Sequence, residues 1–176
     1  AGLARAAEIS RTADVVIENF KPGTMERFGL GYAALAEENP GVVYCSISGF
    51  GDAAGKDLPG YDLLVQAVGG LMSITGEQDG EPMKVGVALV DILTGLNSVI
   101  GIQAALRARD SADSPTAGRG QHVKVTLLGS LLSALANQAS STLETGVSPN
   151  RMGNAHPPIA PYETLDASDQ SIALAV

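Results

Sequence analysis

The stretch GRGQHVKVTLLGSLLSAL, residues 118–135, passes from a glycine hinge into an alternating strand and then directly into an apolar helix. Alternation at every second residue marks a strand with two different faces, and the leucines and alanines that follow have the pattern of a helix packed on a core. A strand feeding straight into a helix is the unit of a parallel sheet, and it sets the expectation for the rest of the chain. The junction at Leu128-Gly129-Ser130 is where an α/β enzyme would display a reactive side chain, and its central residue is glycine.

Outward from this junction the same alternation of strand and helix recurs. Towards the N-terminus the pattern predicts a helix up to about Ala13, a strand DVVIENF (14–20) stopped by Pro22 and Gly23, and short helices at TMERFGL (24–30) and YAALAEEN (32–39). A β-branched strand VVYCSISGF (42–50), a loop DAAGKDLPG (52–60) and a helix from near Tyr61 follow. A long helix is predicted from Val85 to about Arg109, then a polar linker at 110–120. Beyond the quoted junction, one helix is expected over 128–144, then a Gly/Pro-rich passage at 146–161 and an apolar run SIALAV that reads as an unfinished strand. The fold class is α/β, with βαβ units, a mainly parallel sheet and flanking helices. Because the chain opens already helical in pattern and closes inside a strand, it is expected to be an internal piece of a longer polypeptide.

Composition narrows the possible partners. The 176 residues are 45% hydrophobic and 17% charged, enough for one sizeable core. A net charge of −8 argues against nucleic acid or an anionic membrane as a bulk partner, since both require a positive footprint. The single Cys45 sits in VVYCSIS and reads as a buried strand residue of a reducing compartment, so a cytoplasmic location is expected. No secretory pattern opens these residues. The oily stretch from Val85 is interrupted by Asp91, Thr94 and Asn97 and reads as a buried helix rather than a membrane span.

Known cofactor and nucleophile motifs are missing. The glycines around Phe28 and Ser48 lack the spacing of a dinucleotide fingerprint or a P-loop, and SISGFG falls one glycine short of a nucleophile elbow. Asn19 and Phe20 end the first predicted strand, where ligands collect in open α/β sheets, with Lys21 and Arg27 close behind. An aromatic ring and an amide suit an adenine or a pantetheine arm, and a guanidinium suits phosphate. On the residues alone, a turn residue and a core plug are the simpler reading of this pair.

Five segments in order carry a resemblance: ADVVIENFKPGTMERFGL, PGYDLLVQAVGGLMSITGEQDGEP, VGVALVDILTGLNSVIGIQAALRAR, GRGQHVKVTLL and RMGNAHPPIAPY. Together the set resembles the family III CoA-transferases, the CaiB/BaiF family, with its related α-methylacyl-CoA racemases. The resemblance implies the central part of a Rossmann-like, CoA-binding large domain, without its first βαβ start or the small domain. It implies acyl-CoA and a small carboxylic acid as substrates, no metal, and a homodimer of interlocked chains. Asn19, Phe20 and Arg27 match CoA-contacting positions, and Tyr61 matches a tyrosine at the active-site entrance. A basic residue usual two before that tyrosine is Pro59 here, which leaves Lys56 as a substitute or as an ordinary solvated charge.

In the family pattern an aspartate at the strand-to-helix junction attacks the thioester, giving an aspartyl anhydride and CoA thiolate. Counting along GRGQHVKVTLLG places Gly129 at that position, so this residue has no carboxyl to offer. Three alternatives follow. Ser130 is a possible nucleophile if His122 or His156 reaches it, although a helix cap is its simpler role. Asp91 matches the racemase base, yet the partner histidine is Tyr61 here, with Asp62 retained; a buried, hydrogen-bonded carboxylate is the plainer reading. The third is a catalytically reduced subunit that binds CoA without transferring it. In any of these cases the segment after Val16 and the junction before Leu131 are expected to converge on one cleft holding Phe20, Tyr61 and Gly129.

Overall fold

The computed structural model describes residues 2–175. Ala1 and Val176, the outermost residues of the expected first helix and last strand, lie outside the described residues. The order is α1 (Gly2–Ser10), β1 (Val15–Glu18), α2 (Thr24–Arg27), α3 (Tyr32–Glu38), β2 (Val43–Ser48), α4 (Asp62–Val68), a 3-10 turn (Met72–Ile74), α5 (Leu89–Asp110), β3 (His122–Thr126), α6 (Leu127–Ala134), α7 (Ala136–Thr145), β4 (Tyr162–Asp166) and β5 (Ser171–Ala175).

The expected parallel sheet is present. Its strands run in the order β1-β2-β3, all parallel, with Val15 opposite Val43 and Tyr44 opposite His122. The central strand is covered on both sides, and the two-residue period of a strand sorts its side chains between them. Val43 and Cys45 pack with Ile102 and Ala105 of α5 on one face. Val42 and Tyr44 pack with Leu30 and Leu35 on the other. Cys45 is fully buried, as its place in an apolar strand requires.

The sheet's starting edge is tied shut. Arg109, at the end of α5, donates from Nη1 to the Asp14 carboxylate at 3.0 Å and to the Gly41 carbonyl at 3.1 Å. Gly120 lies so close to β2 that a Cβ there would run into the Val42 carbonyl. The opposite edge, where the strands end, is left open.

Besides helix ends that fall up to three residues early, as at Ser10 and Arg27, three larger features differ from the sequence pattern. The long helix starts at Leu89 rather than Val85, because α4 governs its entry: the Val85 amide donates to Gln66 Oε1 and the Val90 amide to Asp62 Oδ2. The single helix expected over 128–144 is two, broken where Ala136 takes a positive φ of 43°. The passage after Pro161 forms an antiparallel hairpin, β4 with β5, of which only the second strand was readable as a strand. By length and composition α5 is apolar enough to cross a membrane. Its stripe Val90, Thr94, Ser98, Ile102 and Ala105 is buried against the fold.

Candidate active site

The sheet's open edge carries a cleft of about 860 Å³, within the range of cofactor-sized sites. β1 delivers Ile17 and Glu18 and, just past its end, Asn19 and Phe20. β2 delivers Ile47 and Ser48 and, just past its end, Gly49; the loop before α4 delivers Lys56 and Tyr61; α5 delivers Asp91, Thr94 and Gly95. Parallel strands all end at this edge, so side chains from elements distant in sequence meet there.

A glycine pair brings Tyr61 in. A Cβ on Gly49 would collide with the Gly60 Cα, and one on Gly60 would stand 2.7 Å from the Gly49 Cα. Two side chains at these positions would hold the loop away from β2. With neither present, the loop folds back onto the strand end and leaves Tyr61 on the cleft, 72% exposed, as Phe20 is at 54%. Exposed rings facing a cleft are available for stacking on a ligand. Across the loops, Lys21 Nζ pairs with Asp57 at 3.1 Å, and both residues line the cleft. An exposed pair of this kind contributes at most about 1 kcal/mol, so Lys21 can change partner at small cost.

Asp62 organises the α5 side. Its Oδ2 accepts the amides of Val90 at 2.8 Å and Asp91 at 3.3 Å, and Oδ1 accepts from Gln66 Nε2 at 2.5 Å. A carboxylate at a helix start satisfies free amides and faces the positive end of the helix dipole. Asp91, in that same first turn, is exposed on the cleft rather than buried in the core as its apolar surroundings in sequence suggest. Its carboxyl is pushed up from the ordinary value, first by the partial desolvation of the cleft and then by the Asp62 charge.

The α6 junction is arranged differently. Thr126 ends β3 and caps α6, its Oγ1 accepting the Gly129 amide at 2.9 Å. Leu127 reaches the cleft; Gly129, in the first turn, is exposed and is not among the cleft's lining residues. The expected convergence therefore brings together Phe20, Tyr61 and Asp91 with Leu127, and stops short of Gly129. Ser130 does not cap the helix: it lies inside α6, 3% exposed, with its hydroxyl unpaired. His122 is engaged elsewhere, bonded through Nε2 to Ser46 Oγ at 2.9 Å and stacked on Tyr32, and burial pushes its pKa down. His156 lies beside the Tyr162 ring. Neither histidine is hydrogen-bonded to Ser130, which removes the support for a serine nucleophile. Arg27 bonds Thr24 Oγ1 at 3.2 Å and lines neither this cleft nor the smaller cavity around Ser46 and His122. Among the described residues no group of three or more His, Cys, Asp or Glu is placed to hold a metal.

The open edge of this α/β sheet gathers an amide, two exposed rings, two lysines and the carboxylates of Glu18, Asp57 and Asp91. The chain belongs to CoA-transferase family III, whose profile matches residues 1–176. It is 48% identical over 176 residues to the succinate–glutarate CoA-transferase of Agrobacterium fabrum, a match covering 99% of this chain and 43% of that protein. It is 41% identical over 168 residues to the succinyl-CoA:mesaconate CoA-transferase of Haloarcula hispanica, covering 93% of this chain and 41% of the relative. The fold is similar to the crystal structure of a CAIB/BAIF family protein from Brucella suis, with a TM-score of 0.84 and 49% identity over 97% of this chain and 44% of that one. The chain thus spans less than half the length of the relatives it matches.

Proposed function

We propose that this chain forms the CoA-binding cleft of an enzyme that moves coenzyme A between an acyl-CoA and a small carboxylic acid. The observation that carries this reading is the meeting of Asn19, Phe20, Lys21, Tyr61 and Asp91 in one cleft of a family III chain. Phe20 and Tyr61 supply faces for the adenine or the pantetheine amides, and Lys21 and Lys56 supply charge for phosphates. Arg27 contributes to phosphate binding only by turning from Thr24. The relatives are named for succinate, glutarate and mesaconate, which favours a dicarboxylic acid as acceptor. The expected cytoplasmic location and homodimer belong to the same proposal. The exposed Ile92, Leu96, Val99 and Ile100 of α5 support further polypeptide lying on that helix.

Gly129 favours a second reading, a CoA-binding subunit with no aspartyl step of its own. The position matched to the nucleophile has no side chain, Ser130 is buried, and the carboxylates that line the cleft are Glu18, Asp57 and Asp91. Asp91 without a histidine partner also leaves an acyl-CoA racemase as the weaker alternative. Mixing the intact protein with succinyl-CoA and glutarate and following glutaryl-CoA by mass spectrometry decides between them. Exchange by the native protein supports the enzyme. No exchange, with CoA still bound, supports the subunit. Deuterium uptake at the α-carbon in heavy water would support the racemase, and a protein that binds no CoA contradicts all three.

A further inference from the structure

Helix α5 holds two glycines, and they differ in what surrounds them. Glycine inside a helix is less stable than alanine, because it loses more backbone freedom and adds no packing. Gly101 has a packing reason: a Cβ there would stand 2.7 Å from Val123 Cγ1, so its absence lets α5 lie close against β3. Gly95 has none. A Cβ built on it meets no atom within 4 Å, and its φ is not in the left-handed region. The position lines the cleft, one turn along α5 from Asp91.

The surroundings indicate what comes close. Ile17, Ile47 and Leu127 line the same cleft and are apolar, the cations Lys21 and Lys56 and the acid Asp57 stand on the flanking loops, and the acids Glu18 and Asp91 disfavour an anion deeper in. The group passing Gly95 is therefore uncharged and slim. On the CoA-binding reading, on which this inference rests, we infer that Gly95 is where the pantetheine arm lies against α5, its missing Cβ giving the arm room to run from the lysines towards Asp91. An alanine here would strengthen the helix and narrow the path of the ligand.

The experiment compares the intact protein with its Gly95→Ala variant in three measurements: melting temperature, affinity for CoA, and affinity for adenosine 3′,5′-diphosphate, which has no pantetheine. The expected result is a raised melting temperature, CoA binding weakened about tenfold or more by the crowded methyl, and unchanged binding of the nucleotide. Unchanged CoA affinity overturns the inference and leaves the CoA reading intact. Equal loss for both ligands overturns it as well, because the methyl then disturbs the cleft at large. A lowered melting temperature overturns it by showing that the protein's own residues fill the space. Wild-type protein that binds neither ligand removes the CoA reading and this inference with it.

Discussion

Two helices begin at the open edge of the same sheet, and they are started by different chemistry. α5 is capped from outside, by the Asp62 carboxylate of α4, and it places a second carboxylate, Asp91, on the cleft. α6 is capped from within, by the hydroxyl of Thr126, and its first turn carries Gly129 with no charge at all. One start is acidic and built from two elements; the other is neutral and built from one strand-helix junction. The contrast is one of charge: two acids, Asp62 and Asp91, stand at the start of α5, while the α6 turn, where the family pattern has its aspartate, carries none.

The strongest way to break the contrast is to give α6 its own carboxylate. On the reading that the chain has no aspartyl step of its own, Gly129→Asp, whose side chain extends beyond a backbone that does not line the cleft, is expected to raise CoA exchange between succinyl-CoA and glutarate by about a thousandfold or more, the scale on which a covalent nucleophile is gained or lost. Its Cβ would stand 2.8 Å from Thr126 Oγ1, so the cap must shift slightly, and the fold accommodates this through a single side chain. Steady-state exchange rates of the two proteins check it; equal rates would mean that the position has no part in the chemistry.

Removing each cap measures how unequal the two starts are. Asp62→Ala strips α5 of an acceptor for two amides and leaves Gln66 unpartnered on that side, so a loss of about 2 kcal/mol is expected in denaturant unfolding. Thr126→Ala removes one acceptor from an exposed amide and should cost about 1 kcal/mol. Similar losses would show that both helices are held mainly by packing.

The smallest effect is electrostatic. Because the Asp91 carboxyl is raised by partial desolvation and by Asp62, the folded state holds its proton more tightly than the unfolded chain does. Ionised Asp91 therefore weakens the fold as pH rises from the ordinary value of 3.8 through the raised one, and acidification across that window restores what was lost. An NMR titration should place Asp91 above 3.8, and Asp62→Asn should bring it partway down, since desolvation, the larger cause, remains. No movement in the variant would show that the two carboxylates do not sense each other.

Much of this was readable in the residues because local patterns carried it. The alternation of QHVKVTL, the β-branched VVYCSIS and the proline and glycine stops define the three strands, and their alternation with helices implies a parallel sheet, without knowledge of contacts. Asn19 and Phe20 became site candidates through their place at a strand end taken together with the family resemblance, and Tyr61 through the resemblance alone. What escaped depends on partners far along the chain. The start of α5 is decided by Asp62 and Gln66, and no window around Val85 contains them. The exposure of Asp91 escaped for a similar reason: an acid among leucines reads as buried until it is known which face of the helix meets the sheet. The break at Ala136 has no proline or glycine to announce it. The close contact of Gly49 with Gly60 needs both ends of a loop to be seen at once.

A crystal structure of the intact protein with CoA bound tests the central claim, that the edge shared by β1, the 56–61 loop and α5 is the ligand's seat. The expected result is an adenine or pantetheine against Phe20 and Tyr61, phosphates near Lys21, and the sulfur approaching the start of α5. CoA bound in the cavity around Ser46 and His122, or elsewhere on the surface with this cleft empty, would contradict it.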